Sequence, residues 1–221
     1  MAGNHPKDPT PGYAPDGSHL RPNAILWKDL EARSPEELAN LTLAQPMPGG
    51  RLRFRFLSED IVVDIPNHCL TRTCGNQDVP LEDSLIELVT LAYLNQVDAI
   101  LPLDHDIVGL QDLKEAHFFV GPHELRTAKV LDRYGDDPDA FKKAVLALDG
   151  RKVDMADVAG RLLPFPRIPL YFLLWVGDEE FPARLRVLFD RSIERFMPAD
   201  AIWALVNRVA RSLADGVVFS A

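Results

Sequence analysis

Apolar positions change their spacing several times along the chain, and each change marks an element. From Asn23 to Arg33, Ile25, Leu26 and Leu30 share one helical face. "SPEELANL" begins a second helix, with Ser34 as N-cap, Pro35 at its first position and Glu37 at the capping-box position. "QPMPGG" then breaks the helical spacing. In "RLRFRFLSEDIVVDIP", Leu52, Phe54 and Phe56 alternate with Arg51, Arg53 and Arg55, which predicts a half-exposed strand. Ser58–Asp60 turns that strand into a hairpin whose return runs from Ile61 to Ile65, and "NHCLTRTCGNQD" reads as a loop.

Helical spacing returns from Leu81 to Val97 and from Asp136 to Leu148, closed by Gly150. Val158–Phe165 and Ile168–Val176 predict two strands around the rigid "PFPRIP". The last helix, Ala199–Ala214, is amphipathic: Ile202, Leu205, Val206, Val209 and Leu213 face inward, Arg208 and Arg211 face outward, and Gly216 ends it. Paired strands without regular strand–helix alternation predict an α+β fold, an antiparallel sheet of at least four strands packed with helices. The expected organisation is a single domain over residues 23–221 behind a disordered arm, residues 1–22, rich in Pro, Gly and Asp.

Composition narrows the function classes. Apolar residues make up 47% of the 221, enough for a core without staples. A net charge of −9 argues against nucleic acid or an anionic membrane as partner. Two cysteines, Cys69 and Cys74, cannot make a disulfide framework. No secretory h-region opens the chain and no apolar run is long enough to span a bilayer, so the expected compartment is the cytoplasm. Phosphate-binding glycine loops, dinucleotide fingerprints, nucleophile elbows and zincin motifs are all absent, which demotes ATPase, dehydrogenase, hydrolase and zincin readings.

Several segments resemble one bacterial and archaeal family: "FFVGPHEL" (118–125), "RYGDD" (133–137), "PRIPLYFLLWVGDEEFPA" (166–183), "LFDRS" (188–192) and "DAIWALV" (200–206). The family is domain of unknown function 3786, and the resemblance covers roughly residues 24–215. It implies no assigned activity. Members occur beside iron–sulfur domains and corrinoid methyl-transfer systems, so the resemblance implies a role near anaerobic redox or methyl-transfer metabolism. This chain carries no iron–sulfur motif of its own.

Three stretches carry candidate chemistry. "LLWVGDEEFP" ends a buried strand in Asp178, Glu179 and Glu180. These acids are either a solvated turn in which Asp178 caps a short helix and Phe181 plugs the core, or a negative wall for a cation or a hydrogen-bonding ligand, with Trp175 as its aromatic floor. Asp190 is a further carboxylate, with Ser192 next to it. In "EAHFFVGPHEL", His117 and His123 flank Phe118 and Phe119; either His123 caps the next helix and His117 bonds a loop carbonyl, or they are ligands for a metal ion or a haem-like tetrapyrrole. Asp104-His105-Asp106 lies upstream as a polar turn that could add a ligand. In "HCLTRTC", His68, Cys69 and Cys74 are soft donors at no standard metal spacing.

Three functions therefore stand at this stage: a small-ligand or cofactor-binding protein, an enzyme, and a protein-interaction module. The enzyme would pair Asp178, Glu180 or Asp190 with His117 or His123 as acid–base groups. The interaction module would bind a basic protein partner through its acidic strand end and its amino-terminal arm. The binding reading predicts one cleft, with Phe118, Phe119 and Trp175 as apolar walls and His123 and Glu180 as its polar groups.

Overall fold

A computed structural model describes residues 24–75 and 77–219; the expected arm, residues 1–22, lies outside them. The chain opens with α1 (Ala24–Glu31) and α2 (Pro35–Thr42). Ser34 caps α2 as expected, accepting from the Glu37 amide at 3.3 Å. The Glu37 carboxylate does not complete a capping box; it pairs with Arg33 at 3.8 Å.

A meander follows, β1 (Gln45–Met47), β2 (Arg51–Phe56), β3 (Glu59–Asp64), β4 (Cys69–Cys74) and β5 (Gln77–Pro80), antiparallel in that order. The β2–β3 hairpin is the predicted one, but its turn is Leu57-Ser58, one residue early: Phe56 already pairs with Glu59. The expected loop at 67–78 is largely strand. Leu70 points inward, while the half-buried Thr71 and Arg72 pair with β3 and the half-buried Thr73 pairs with Asp78 of β5. Too few apolar residues mark that strand for its period to show.

Next come α3 (Ser84–Gln96), the short strand β6 (Ile107–Val108), α4 (Ala128–Tyr134) and α5 (Pro138–Ala147). α3 begins three residues later than its apolar spacing suggests, because Asp83 caps it, accepting from the Leu85 and Ile86 amides at 3.1 Å each. The second sheet adds β7 (Arg151–Val153), β8 (Val158–Phe165), β9 (Ile168–Trp175) and β10 (Arg184–Asp190), and the chain closes with α6 (Ile193–Phe196) and α7 (Ala199–Asp215). Its order is β6-β10-β9-β8-β7, antiparallel throughout. The fold is α+β, with two five-stranded antiparallel sheets and a carboxy-terminal helix.

One large apolar cluster joins both sheets and the helices. Phe54 and Phe56 of β2 meet Phe165 of β8 at 5.7 and 5.3 Å, and Tyr93 of α3 stacks on Phe165 at 4.9 Å. A buried ring of this kind contributes roughly 1.5–3 kcal/mol through its burial. β9 divides by alternation. Leu170, Phe172 and Leu174 enter the large cluster, whereas Tyr171, Leu173 and Trp175 turn to the other face and join Ala159 in a small second cluster.

Arg208 departs from the expected outward face of the last helix. It is 5% exposed and donates to Asp83 at 2.7 Å, to Ser212 at 2.5 Å and to the Val218 carbonyl. The guanidinium therefore ties the α3 cap to α7 and to the segment after it. A charge this deep persists because every direction it faces offers an acceptor.

Candidate functional site

The second face of the β6–β10 sheet carries the densest polar network. Arg161 on β8 and Tyr171 on β9 are cross-strand neighbours, 7% and 1% exposed. Neither can remain there unpaired. Their common partner is Asp104, in the segment between α3 and β6. Arg161 binds both of its carboxylate oxygens, at 2.6 and 2.9 Å; the Tyr171 hydroxyl donates to it, and Arg151 reaches it at 3.2 Å. Burial acts to raise the Asp104 carboxyl, but the Arg161 and Tyr171 hydrogen bonds and the Arg161 and Arg151 charges outweigh it. They hold the group below the ordinary carboxylate range. Burial and the Asp104 contact push the Tyr171 hydroxyl up to about 12.

That clamp fixes the segment carrying His105 and Asp106, which a second set of contacts ties to the end of β10. Asp190, 2% exposed, accepts from the His105 amide at 3.2 Å and from the Ser192 amide at 2.9 Å. Arg191 binds Asp106 at 2.6 Å and the Asp112 carbonyl at 2.8 Å, and Arg195 grips Asp98 at 2.9 and 3.0 Å. Between the segment, β10 and α6 lies an open cleft of about 340 Å³, lined by His105, Asp106, Lys114, Ser192, Glu194 and their neighbours. Two atoms of its lining residues, Ser192 Oγ and Glu194 Oε2, are buried with no hydrogen-bond partner. The other Glu194 oxygen accepts from the Lys114 amide at 2.5 Å. Glu194 and Lys114 also line an adjoining cleft of about 230 Å³.

The two segments expected to share a cleft have different surroundings. Phe118 stacks on His123 at 4.3 Å, and His123 meets the edge of Trp203 on α7 at 5.9 Å. Phe118 and Phe119 belong with the large cluster and Trp175 with the small one, on the opposite face of β9. The apolar wall expected from these three residues therefore does not form. His117 is exposed. The acids lie in the exposed turn between β9 and β10, where Asp178 accepts from the Glu180 and Phe181 amides at 2.9 and 2.7 Å. Those amides hold its carboxyl below the ordinary range. Glu180 is exposed, and Phe181, expected as a core plug, is 62% exposed. The charge that ends the buried strand is thus a capped hairpin turn.

Among the described residues no group of three or more His, Cys, Asp or Glu side chains is arranged to hold a metal ion. His117 and His123 gain no such further donors, and the His123 ring packs on Phe118 and edge-on against Trp203. In the third stretch, His68 pairs with Glu31 at 2.8 Å and stacks on Trp27 at 5.3 Å. Burial, then Asp64 and Glu87, push the Cys69 thiol up, away from the thiolate a nucleophile needs.

The sequence did signal part of the Asp104 network. Arg161 is a lone charge inside the apolar run of β8, and a charge in a buried strand demands a partner. Which acid would answer it depended on a contact 57 residues away. No helix among the described residues is long and apolar enough to cross a membrane. A family model described as a domain of unknown function (DUF3786) matches residues 34–212. No curated protein and no solved structure matches the chain.

Proposed function

The chain belongs to the DUF3786 family, whose description assigns no activity, and we propose that it binds a small polar ligand in the cleft between the 101–106 segment, β10 and α6. The observation that carries this reading is the pair of buried, partnerless atoms in the cleft's lining residues, Ser192 Oγ and Glu194 Oε2. Each such group costs about 1–3 kcal/mol while it lacks a partner. A rotation about the serine χ1, or a turn of the glutamate about its Lys114 contact, would present the oxygen to the cleft, so a molecule with N–H or O–H donors would recover that cost on binding. A volume of about 340 Å³ suits a compact metabolite-sized molecule. The walls are already braced: Arg191 is held by Asp106, Arg195 by Asp98 and Asp190 by the His105 and Ser192 amides, so little side-chain ordering opposes binding.

An enzymatic role has less support. Both Asp190 oxygens accept backbone amides, and the Ser192 hydroxyl has no base beside it to activate it. The reading is tested by thermal shift and calorimetry of the purified protein against amino acids, hydroxy acids and polyols. Compounds that bind should lose at least tenfold in affinity with Ser192→Ala or Glu194→Gln, equivalent to about 1.4 kcal/mol. Binding unaffected by both substitutions, or no binding by any of these classes, contradicts it.

A further inference from the structure

The three arginines of β2 share one face of the meander, yet their surroundings differ. Arg51 lies opposite Asp64 in the ladder and Arg55 opposite Asp60. Arg53 lies between Val62 on β3 and Gln45 on β1, with no acid directly across on either side. The hydrogen bonds follow the same division. Arg51 donates to the Pro48 carbonyl at 3.1 Å. Arg55 donates to the Ser58 carbonyl at 2.7 Å and pairs with Asp149 at 3.4 Å. Arg53 Nε is buried and has no partner.

Arg53 lines a cleft of about 470 Å³ whose other walls include Leu43, Leu57, Leu163 and Pro166. A second observation concerns that same wall. Leu43 and Leu57 both have left-handed backbone, φ 60° and 53°, a conformation that costs a non-glycine residue roughly 1–2 kcal/mol. The Leu57 side chain is 3% exposed and its burial offsets that cost. Leu43 is the left-handed C-cap that ends α2, and its side chain is 60% exposed. A ligand lying along the cleft would cover it.

We propose that this cleft is a second binding site, for a monocarboxylate with an apolar body: Arg53 takes the carboxylate, and Leu43, Leu163 and Pro166 enclose the chain. The guanidinium fork matches a carboxylate in plane, and a small turn of the side chain would bring its unpartnered nitrogen to the cleft. Asp60 and the Arg55-paired Asp149 also line the cleft and disfavour a second negative charge, so the site selects monoanions over dianions. This site is separate from the β10–α6 cleft and shares no lining residue with it.

Hexanoate is the probe, with hexanamide as its neutral isostere and hexanedioate as its dianion. Calorimetry of the wild-type protein should show hexanoate binding at least tenfold tighter than either of the others. Arg53→Gln should reduce hexanoate to the hexanamide level, with the melting temperature of the free protein shifted by no more than a few degrees. On adding hexanoate, the Arg53 Nε–H resonance should shift, which separates direct contact from an indirect effect of the substitution. Equal binding of hexanoate and hexanamide, no binding of hexanoate, or binding unchanged in Arg53→Gln would overturn the proposal.

Discussion

Replacing Asp104 by Asn removes one negative charge from the partners that converge on it and changes little else. Asn tolerates the left-handed backbone at this position, φ 61°, about as well as Asp does, so the substitution isolates the charge. Arg161, 8% exposed at its side chain, then has no carboxylate within its fork, and the Tyr171 hydroxyl loses an ionised acceptor. Breaking a buried ion pair by removing one partner costs about 3–5 kcal/mol. The Asp104 side chain is 32% exposed, so solvent screening brings the expectation down to about 2–3 kcal/mol. The sign of the pH dependence follows from the same contacts. The folded-state carboxyl is held below its unfolded value of roughly 4. Its contribution is therefore complete above that value and is lost as pH falls through the lower, folded-state one. Urea unfolding of the wild-type protein and Asp104→Asn, at neutral pH and at roughly pH 3, measures both effects. The midpoint should fall with an unchanged slope at neutral pH, and the gap between the two proteins should narrow in acid. A loss under about 0.5 kcal/mol at neutral pH, or a gap independent of pH, would refute the clamp.

Two further substitutions test the packing. Arg208→Met, which keeps an unbranched stem but leaves Asp83 and the Val218 carbonyl without their donor, should destabilise by about 3 kcal/mol in the same unfolding assay; a neutral result would mean that the guanidinium does not brace α3 against α7. Trp203→Ala should cost about 3–5 kcal/mol, because its ring is 4% exposed, holds the Glu124 carbonyl at 3.1 Å and lies under Arg126 at 5.1 Å. Trp175→Ala should cost less than that, since its ring is half-buried in the small cluster with Arg186 above it at 5.9 Å; an equal loss at both positions would contradict the division of β9 between two clusters.

Elements with a strong period were legible before the structure. β8, β9 and α7 have their expected positions to within one residue, because each carries a long apolar run or an uninterrupted helical face. β10 has the same arginine–apolar alternation at its start as β2, "RLRV" against "RLRF", but the acidic turn before it masks the hairpin. β4 was hidden because polar threonines and an arginine carry its ladder. For the site, Asp190 and Ser192 were legible as neighbours, and the Asp104–Asp106 turn was visible as polar. That Asp190 would hold the His105 amide, 85 residues away, depended on the crossing of β6 and β10. The expected cleft failed for a related reason. Strand alternation sends Trp175 to the opposite face from Phe172 and Leu174, and an aromatic residue near a polar one in sequence says nothing about which face it takes.

Binding of a small polar molecule in the β10–α6 cleft through Ser192 and Glu194 is read from backbone amide shifts during titration with a compound that raises the melting temperature. Concentration-dependent shifts should concentrate at His105, Lys114, Ser192 and Glu194 and be lost in Glu194→Gln. Shifts confined to the His123–Trp203 cluster or to the β9–β10 turn, with those four amides unmoved, would contradict it.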